Sequence, residues 1–427
     1  MGSETFFKLR EAQMSRPLRV GFVVHVMQVA GAEVLTREMI RRLGDRIVPT
    51  IFCLDSVGSI GEEMRRDGLD LVCFDRRPGR DWGVSRRMAK AIRKRNLDIV
   101  HAHQYTPFFY SALAKLLCPR PPKLILTEHG RHYPDVVSAK RRAVNRLVLD
   151  RLADAVTACC HFSARGLSRN DGFAGGRIAI IENGVEVDRY GSVSGERRGV
   201  SPTWDLLNAS GFPNMSGIPN TSGIPNTSGL RLDARLSRSE RRHIIHVARH
   251  HPVKDQATLL RGFAQAATDL PELDLLMVGD GPLRGELERL AGELGIESRV
   301  KFLGIRSDIP DLMRAADAFA LTSLSEAASL TLLEAMASGL PAVVTDVGGN
   351  GEIVRHESEG LLFPRGDASG CAAAFRRLFR EPGLVARLGA AGRRRVLEHY
   401  RLDRTVDSYF QLYVRLAGIR NSGTSAP

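Results

Sequence analysis

The chain has no long apolar run. No stretch approaches the roughly 18 consecutive apolar residues that mark a membrane-spanning helix, and the segment Met1 to Pro17, with Lys8 and Arg10, lacks the apolar core of a secretory leader. Cysteine is sparse. The six are scattered, and the adjacent pair Cys159-Cys160 lacks a metal-type spacing, so neither a disulfide framework nor a zinc module is expected. All six read as reduced, mostly buried thiols, which suits the cytoplasm. Aromatics make up only 6% of residues. They do not interleave with the basic runs, and no nucleic-acid reader motif is present, which argues against a nucleic-acid partner.

What remains is a globular composition: 427 residues, 43% hydrophobic and 26% charged. That length exceeds one ordinary core and predicts two domains. The formal charge of +13 is uneven, with 32 Lys and Arg against 21 Asp and Glu in residues 1–190, and 29 against 27 in the remainder. Basic helical stretches run from Arg86 to Arg95 and from Lys140 to Arg151. Such patches are either solvated faces or sites for an anionic partner, a lipid surface or a lipid diphosphate.

Short apolar runs alternate with amphipathic ones. Strands are expected at Leu18–Val26, Val48–Leu54, Leu69–Phe74, Ile99–Ala102, Leu124–Thr127, Ala155–Ala158 and Ile178–Ile181. They are expected again at Ile244–Ala248, Leu273–Val278, Val300–Leu303, Ala318–Leu321 and Ala342–Val344. Helices are expected between them, among them Ala32–Leu43, Ser85–Arg95, Pro107–Leu117, Lys140–Leu152, Gln256–Ala267, Leu283–Leu294 and Leu330–Ala337. Continuous apolar strands alternating with helices indicate parallel sheets covered on both faces, an α/β class with two Rossmann-like domains facing across a cleft. The divisions expected are an N-terminal extension at 1–15, a first domain at 16–190, an insertion at 191–240, a second domain at 241–402, a closing helix at 403–420 and a tail at 421–427. In the insertion Asn208, Asn214 and Asn220 each begin a six-residue unit containing Ser, Gly and Pro, and Asn226-Thr-Ser-Gly begins a fourth, a repeat whose composition cannot bury a core. The sequons it contains read as by-products of repeat expansion.

Chemistry concentrates in Ser323-Leu-Ser-Glu326-Ala-Ala-Ser-Leu-Thr-Leu-Leu-Glu334-Ala-Met-Ala-Ser-Gly339-Leu-Pro341. Two carboxylates stand eight positions apart across a loop-to-helix junction. Ser329 is a natural N-cap, and Gly339 the C-terminal stop. Free N–H groups at that helix start suit an anion, and a nearby carboxylate suits the hydroxyls of a ribose or hexose. In Arg249-His-His-Pro-Val-Lys254, two cations on a strand-to-helix loop can reach one diphosphate, the guanidinium as a fork and the ammonium as a point charge.

The first of these segments resembles the Glu-x7-Glu motif of the retaining glycosyltransferases of family 4, which have the GT-B fold. The second resembles the family's Arg–Lys phosphate-binding pair, with Asp255 where glycine is usual. Val29-Ala30-Gly31-Ala32-Glu33 resembles its Gly-Gly-Ala-Glu turn, and Thr127-Glu-His129-Gly130 the position whose His lies beside the transferred sugar. After Glu326, Ala327-Ala328-Ser329 replace the family's glycine-rich residues. Positive φ there would cost alanine something and bears on donor preference.

The resemblance implies a glycosyltransferase acting in exopolysaccharide or lipopolysaccharide assembly, with a nucleoside diphosphate sugar as substrate, no tightly bound cofactor and no metal (Asp-x-Asp, the usual metal clamp of the other major glycosyltransferase fold, occurs nowhere). It implies Glu326 on the donor sugar and Glu334 on the ribose, Arg249 and Lys254 on the diphosphate, and backbone approach at Gly31, Ala328, Ser329 and Leu330. His129 would complete the cleft, and the last helix would cross back to the first domain. The acceptor implied is a glycan or a polyprenyl-diphosphate-linked glycan, with the enzyme cytoplasmic or peripheral on an anionic membrane face. A sugar-nucleotide epimerase of the same fold would isomerise the donor, and a non-catalytic scaffold would bind nucleotide weakly and tolerate Glu326→Ala. Both remain alternatives.

Overall fold

The computed structural model describes residues 16–130, 135, 137–191 and 241–418. The expected extension, repeat insertion and terminal tail lie outside them. Two all-parallel sheets organise the rest. The first has seven strands in the order β3-β2-β1-β4-β5-β6-β7, formed by β1 (Leu18–Val26), β2 (Ile47–Ser56), β3 (Asp70–Cys73), β4 (Ile99–His103), β5 (Lys123–Glu128), β6 (Ala155–Ala158) and β7 (Ile178–Ile180). The second has six in the order β10-β9-β8-β11-β12-β13, formed by β8 (Arg242–Val247), β9 (Leu273–Val278), β10 (Val300–Gly304), β11 (Ala318–Leu321), β12 (Ala342–Thr345) and β13 (Gly360–Phe363). Every residue of β4, β9, β11 and β12 is buried, as continuous apolar strands require when helices cover both faces. Strand order reverses between β1 and β4 and between β8 and β11. Ligands of open parallel sheets bind at such switch points, beyond the carboxyl ends of the strands.

The structure adds elements beyond those expected from periodicity: strand β13 and the helices Gly58–Arg66, His161–Arg169, Ala368–Arg380 and Leu384–His399. Glycines inside all four of these helices and the brevity of β13 blur their pattern. The expected helix from Lys140 to Leu152 is present but widens into a π turn over Asn145–Leu149.

The two halves are tied together twice. Val185, just past the first sheet, donates its N–H to Tyr400 O (2.9 Å) and accepts from Leu402 N (3.0 Å). The helix Leu402–Leu416 then crosses back, and Leu402, Val406, Tyr409, Leu412 and Tyr413 complete the core beneath β1, β2 and β4. Among the described residues no helix is long and apolar enough to cross a membrane.

Candidate active site

Both loops expected to carry chemistry leave the second sheet at its switch point. Arg249 follows β8, and Ser323 to Ser329 follow β11. Thr322 Oγ1 donates to the carbonyl of Asp255 (2.9 Å) and Leu324 N to that of Val253 (2.8 Å), which fastens one loop to the other. Lys254 Nζ consequently meets Glu326 Oε1 at 2.5 Å, and Ser323 Oγ donates to the same oxygen at 2.6 Å. Asp255 adopts the left-handed conformation (φ 44°) and caps the helix Gln256–Ala267, with Thr258 Oγ1 donating to its carboxylate at 2.7 Å. This explains how an aspartate fills a position where the resemblance leads one to expect glycine. Its short polar side chain recovers part of the cost of positive φ by capping.

The helix Leu330–Ala337 begins as expected, with Ser329 Oγ accepting from Leu332 N. Neither Ala327 nor Ala328 nor Ser329 has positive φ, so the exchange of glycine for alanine carries no backbone strain here. The close approach falls instead on Gly348 and Gly349. Gly349 N donates to Glu326 O at 3.0 Å. A β-carbon on Gly348 would stand 1.8 Å from Glu326 O, and one on Gly349 1.7 Å from Ala327 O. The glycine pair is the floor on which the Glu326 loop rests.

Glu334 stands apart from Glu326, in a recess lined by Val34, Arg37, Gly184, Arg189, Tyr190 and Leu330. Burial raises its carboxyl to about 7, against the opposing pull of Tyr190 and Arg189. Across the cleft, the helix Gly31–Leu43 starts at the switch point of the first sheet. A β-carbon at Gly31 would be 3.8 Å from Leu330 Cδ1. Burial raises the carboxyl of Glu33, and the charge of Arg249, reaching it from the other domain, opposes that.

His129 directly follows β5 and is buried. Its Nε2 lies 2.7 Å from His103 Nδ1, and the two rings stack 8° from parallel. His101 lies behind them, bonded to Tyr413 (2.7 Å) and Thr127 (2.6 Å). Burial drives all three imidazoles neutral, His129 to about 4 and His101 to about 3. The His101–His103 pair is therefore packing that also supports His129. Within this stack His129 Nδ1 and His103 Nε2 are the ring nitrogens with no hydrogen-bond partner among the described residues.

Asn183 donates to Ala328 O at 3.2 Å and acts on the His129 ring, so it links first-domain histidine to second-domain loop. Glu352 makes a second bridge. Its carboxylate accepts from His161 N (2.8 Å) and Phe162 N (2.7 Å) at the start of the helix His161–Arg169, a favourable place for negative charge. In sequence Asn183 reads only as a turn residue, and Glu352 only as one residue of the Gly348-Gly349-Asn-Gly-Glu352 run that follows the Glu326 to Pro341 segment. No local pattern reports a partner some 145 or 190 positions away.

The structure therefore gathers Lys254, Glu326, Ala328, Ser329 and Leu330 on one lip of a cleft, with Arg249 beside them and Gly31 and His129 opposite. Glu334 is offset into the adjoining recess. Two parallel sheets facing each other with their carboxyl edges define a two-domain GT-B glycosyltransferase. The comparisons agree with this. The family model described as Glycosyl transferases group 1 matches residues 232–395, and that of Glycosyltransferase Family 4 matches residues 29–189. The chain belongs to glycosyltransferase family 4. It is 28% identical over 339 residues to the N-acetyl-alpha-D-glucosaminyl L-malate synthase of Bacillus anthracis, covering 79% of each chain. It is 31% identical over 159 residues to the UDP-Gal:alpha-D-GlcNAc-diphosphoundecaprenol alpha-1,3-galactosyltransferase of Escherichia coli, covering 36% of this chain and 41% of that one. Its fold matches Anabaena Alr3699/HepE, solved with UDP and glucose, at a TM-score of 0.75 and 20% identity over 93% of this chain and 100% of that one.

Proposed function

We propose that this glycosyltransferase moves a sugar, with retention of configuration, from a nucleoside diphosphate sugar to a glycan or lipid-linked glycan of an exopolysaccharide or lipopolysaccharide pathway. The observation that carries the reading is the convergence of Lys254 and Glu326 at the switch point, with an exposed Arg249 beside them. As the bond from the anomeric carbon to the diphosphate breaks, negative charge grows on the leaving group. Arg249 and Lys254 then bind the transition state more strongly than the ground state, and no metal is required.

In this reading Glu326 takes a hydroxyl of the donor sugar once Lys254 turns to phosphate. Glu334 accepts from the ribose, and the amides of Ala328, Ser329 and Leu330 meet the phosphates at the helix start. His129 and the Gly31 turn close the site from the first domain. Domain closure excludes water from the activated donor. The name of the Escherichia coli relative, with its diphosphoundecaprenol acceptor, supports the lipid-linked alternative for the acceptor.

The test is calorimetric titration of the protein with UDP, GDP, ADP and their common sugar conjugates, with Arg249→Ala alongside. One nucleotide should bind in the micromolar range, and the substitution should weaken it by at least about tenfold, the loss of a charge-assisted phosphate contact. Failure of every nucleotide to bind refutes the donor site. An isomerised donor without acceptor would assign an epimerase.

A further inference from the structure

An ordinary surface helix turns apolar residues inward and polar ones outward. The stretch 137–152 does the reverse. Its inward contacts are largely polar. Asn145 is fully buried, accepting from Tyr105 OH and donating to Asp171 O, both at 2.7 Å. Arg141 lies over the Tyr105 ring at 3.6 Å and pairs with Asp171 at 2.8 Å. Asp150 faces Arg177. Its outward residues are aliphatic: Val137, Val144, Leu147 and Val148 are 56%, 47%, 59% and 47% exposed. These are four of the eleven large hydrophobic side chains left exposed among the described residues. The π turn at Asn145–Leu149 holds this inversion in place. It keeps Asn145 and Leu149 inside while Arg146, Leu147 and Val148 face out in succession.

The charges around this stripe have one sign. Lys140, Arg142, Arg146 and Arg151 are exposed, and the only acid between positions 137 and 152 is the buried Asp150. An aliphatic stripe flanked by long cationic side chains matches the interfacial layer of an anionic bilayer. There the aliphatic groups enter the acyl boundary, and the cations extend to the phosphates. The helix also stands in the right place. The stretch belongs to the connection between β5, which ends at Glu128 just before His129, and β6, which begins at Ala155, so it is tethered to the strand end that carries His129.

We infer that the outward face of residues 137–151 docks the enzyme onto an anionic lipid surface and so brings the mouth of the cleft to that surface. The inference rests on the proposed lipid-linked acceptor for its purpose, while the docking itself is independent of the donor.

The experiment uses the full chain and flotation with two kinds of vesicle, phosphatidylcholine alone and phosphatidylcholine mixed with phosphatidylglycerol. The protein should partition onto the mixed vesicles and not onto the neutral ones. Leu147→Glu/Val148→Glu and Arg142→Glu/Arg146→Glu should each lower that partition by about tenfold or more. Arg86→Glu/Lys90→Glu, the same charge change on the other basic helix, should lower it by far less. Nucleotide affinity, measured on the same preparations, should be unchanged in all three variants, which excludes misfolding.

The inference is overturned if the protein ignores anionic vesicles, if the control pair weakens partition as much as the others, or if Leu147→Glu/Val148→Glu abolishes self-association with no vesicle binding in the parent. A chain that binds vesicles but no nucleotide would refute the donor reading and leave the docking face standing.

Discussion

At Asp255 two opposing effects meet on one residue. Its φ of 44° costs a non-glycine residue about 1 kcal/mol, while its carboxylate caps the helix that follows. Asp255→Gly should therefore change stability by only a few tenths of a kcal/mol. Asp255→Ala loses the cap and keeps the strain, and should cost about 1–2 kcal/mol, read from denaturant midpoints of the two variants. Glu334 gives a second prediction. Its carboxyl titrates near 7, so the carboxylate that the proposed ribose contact needs is a minority at pH 6 and the main species at pH 8. Affinity for the sugar nucleotide should rise about tenfold between those values, and Glu334→Gln should flatten the profile in calorimetric titrations. Lys254 and Glu326 were legible in the sequence because their loops carry fixed spacings. The Asn183–Ala328 and His103–His129 contacts were not, since each depends on how distant loops meet at the strand ends.

Among elements, the glycine pair after β12 sets the position of the Glu326 loop. Gly348→Ala puts a methyl group where Glu326 O stands, at a residue with φ 57°. Backbone on both sides must move. Turnover should fall by 10²-fold or more, since misplacing a reacting group by about 1 Å costs that much. The same loss should appear whether Lys254 is intact or not, and steady-state assays of the single and double variants check this. The strands were readable because buried parallel strands are continuous apolar runs. The sequence is less explicit where glycine interrupts helical periodicity, as at Gly389 and Gly392 within Leu384–His399. The π turn left no sequence signature at all, because it answers to the partners of Asn145 rather than to propensity.

Over the whole molecule, buried neutral histidines make the fold sensitive to acid. His101, His129 and His246 are held near 3, 4 and 4 by burial. The unfolded chain takes up protons on these side chains near pH 6.5, and the folded one does not until much lower pH. Stability is therefore complete above pH 6.5 and declines as pH falls towards 4. One such shift is worth about 3 kcal/mol at its limit, so the calorimetric Tm should be several degrees lower at pH 5 than at pH 7.5. A Tm that holds level over that range would place the histidines in contact with water.

The returning C-terminal helix also bears on the order in which the protein can be made. Tyr409 and Tyr413 are fully buried in the first domain, and Tyr413 bonds to His101 on β4. A ribosome that has just released β7 must still add more than two hundred residues before Tyr413 appears. At roughly 5–20 residues per second that interval is on the order of 10–50 s. During it the first half is a nascent domain with an open seam under its central strands, closed only once Tyr409 and Tyr413 have been added.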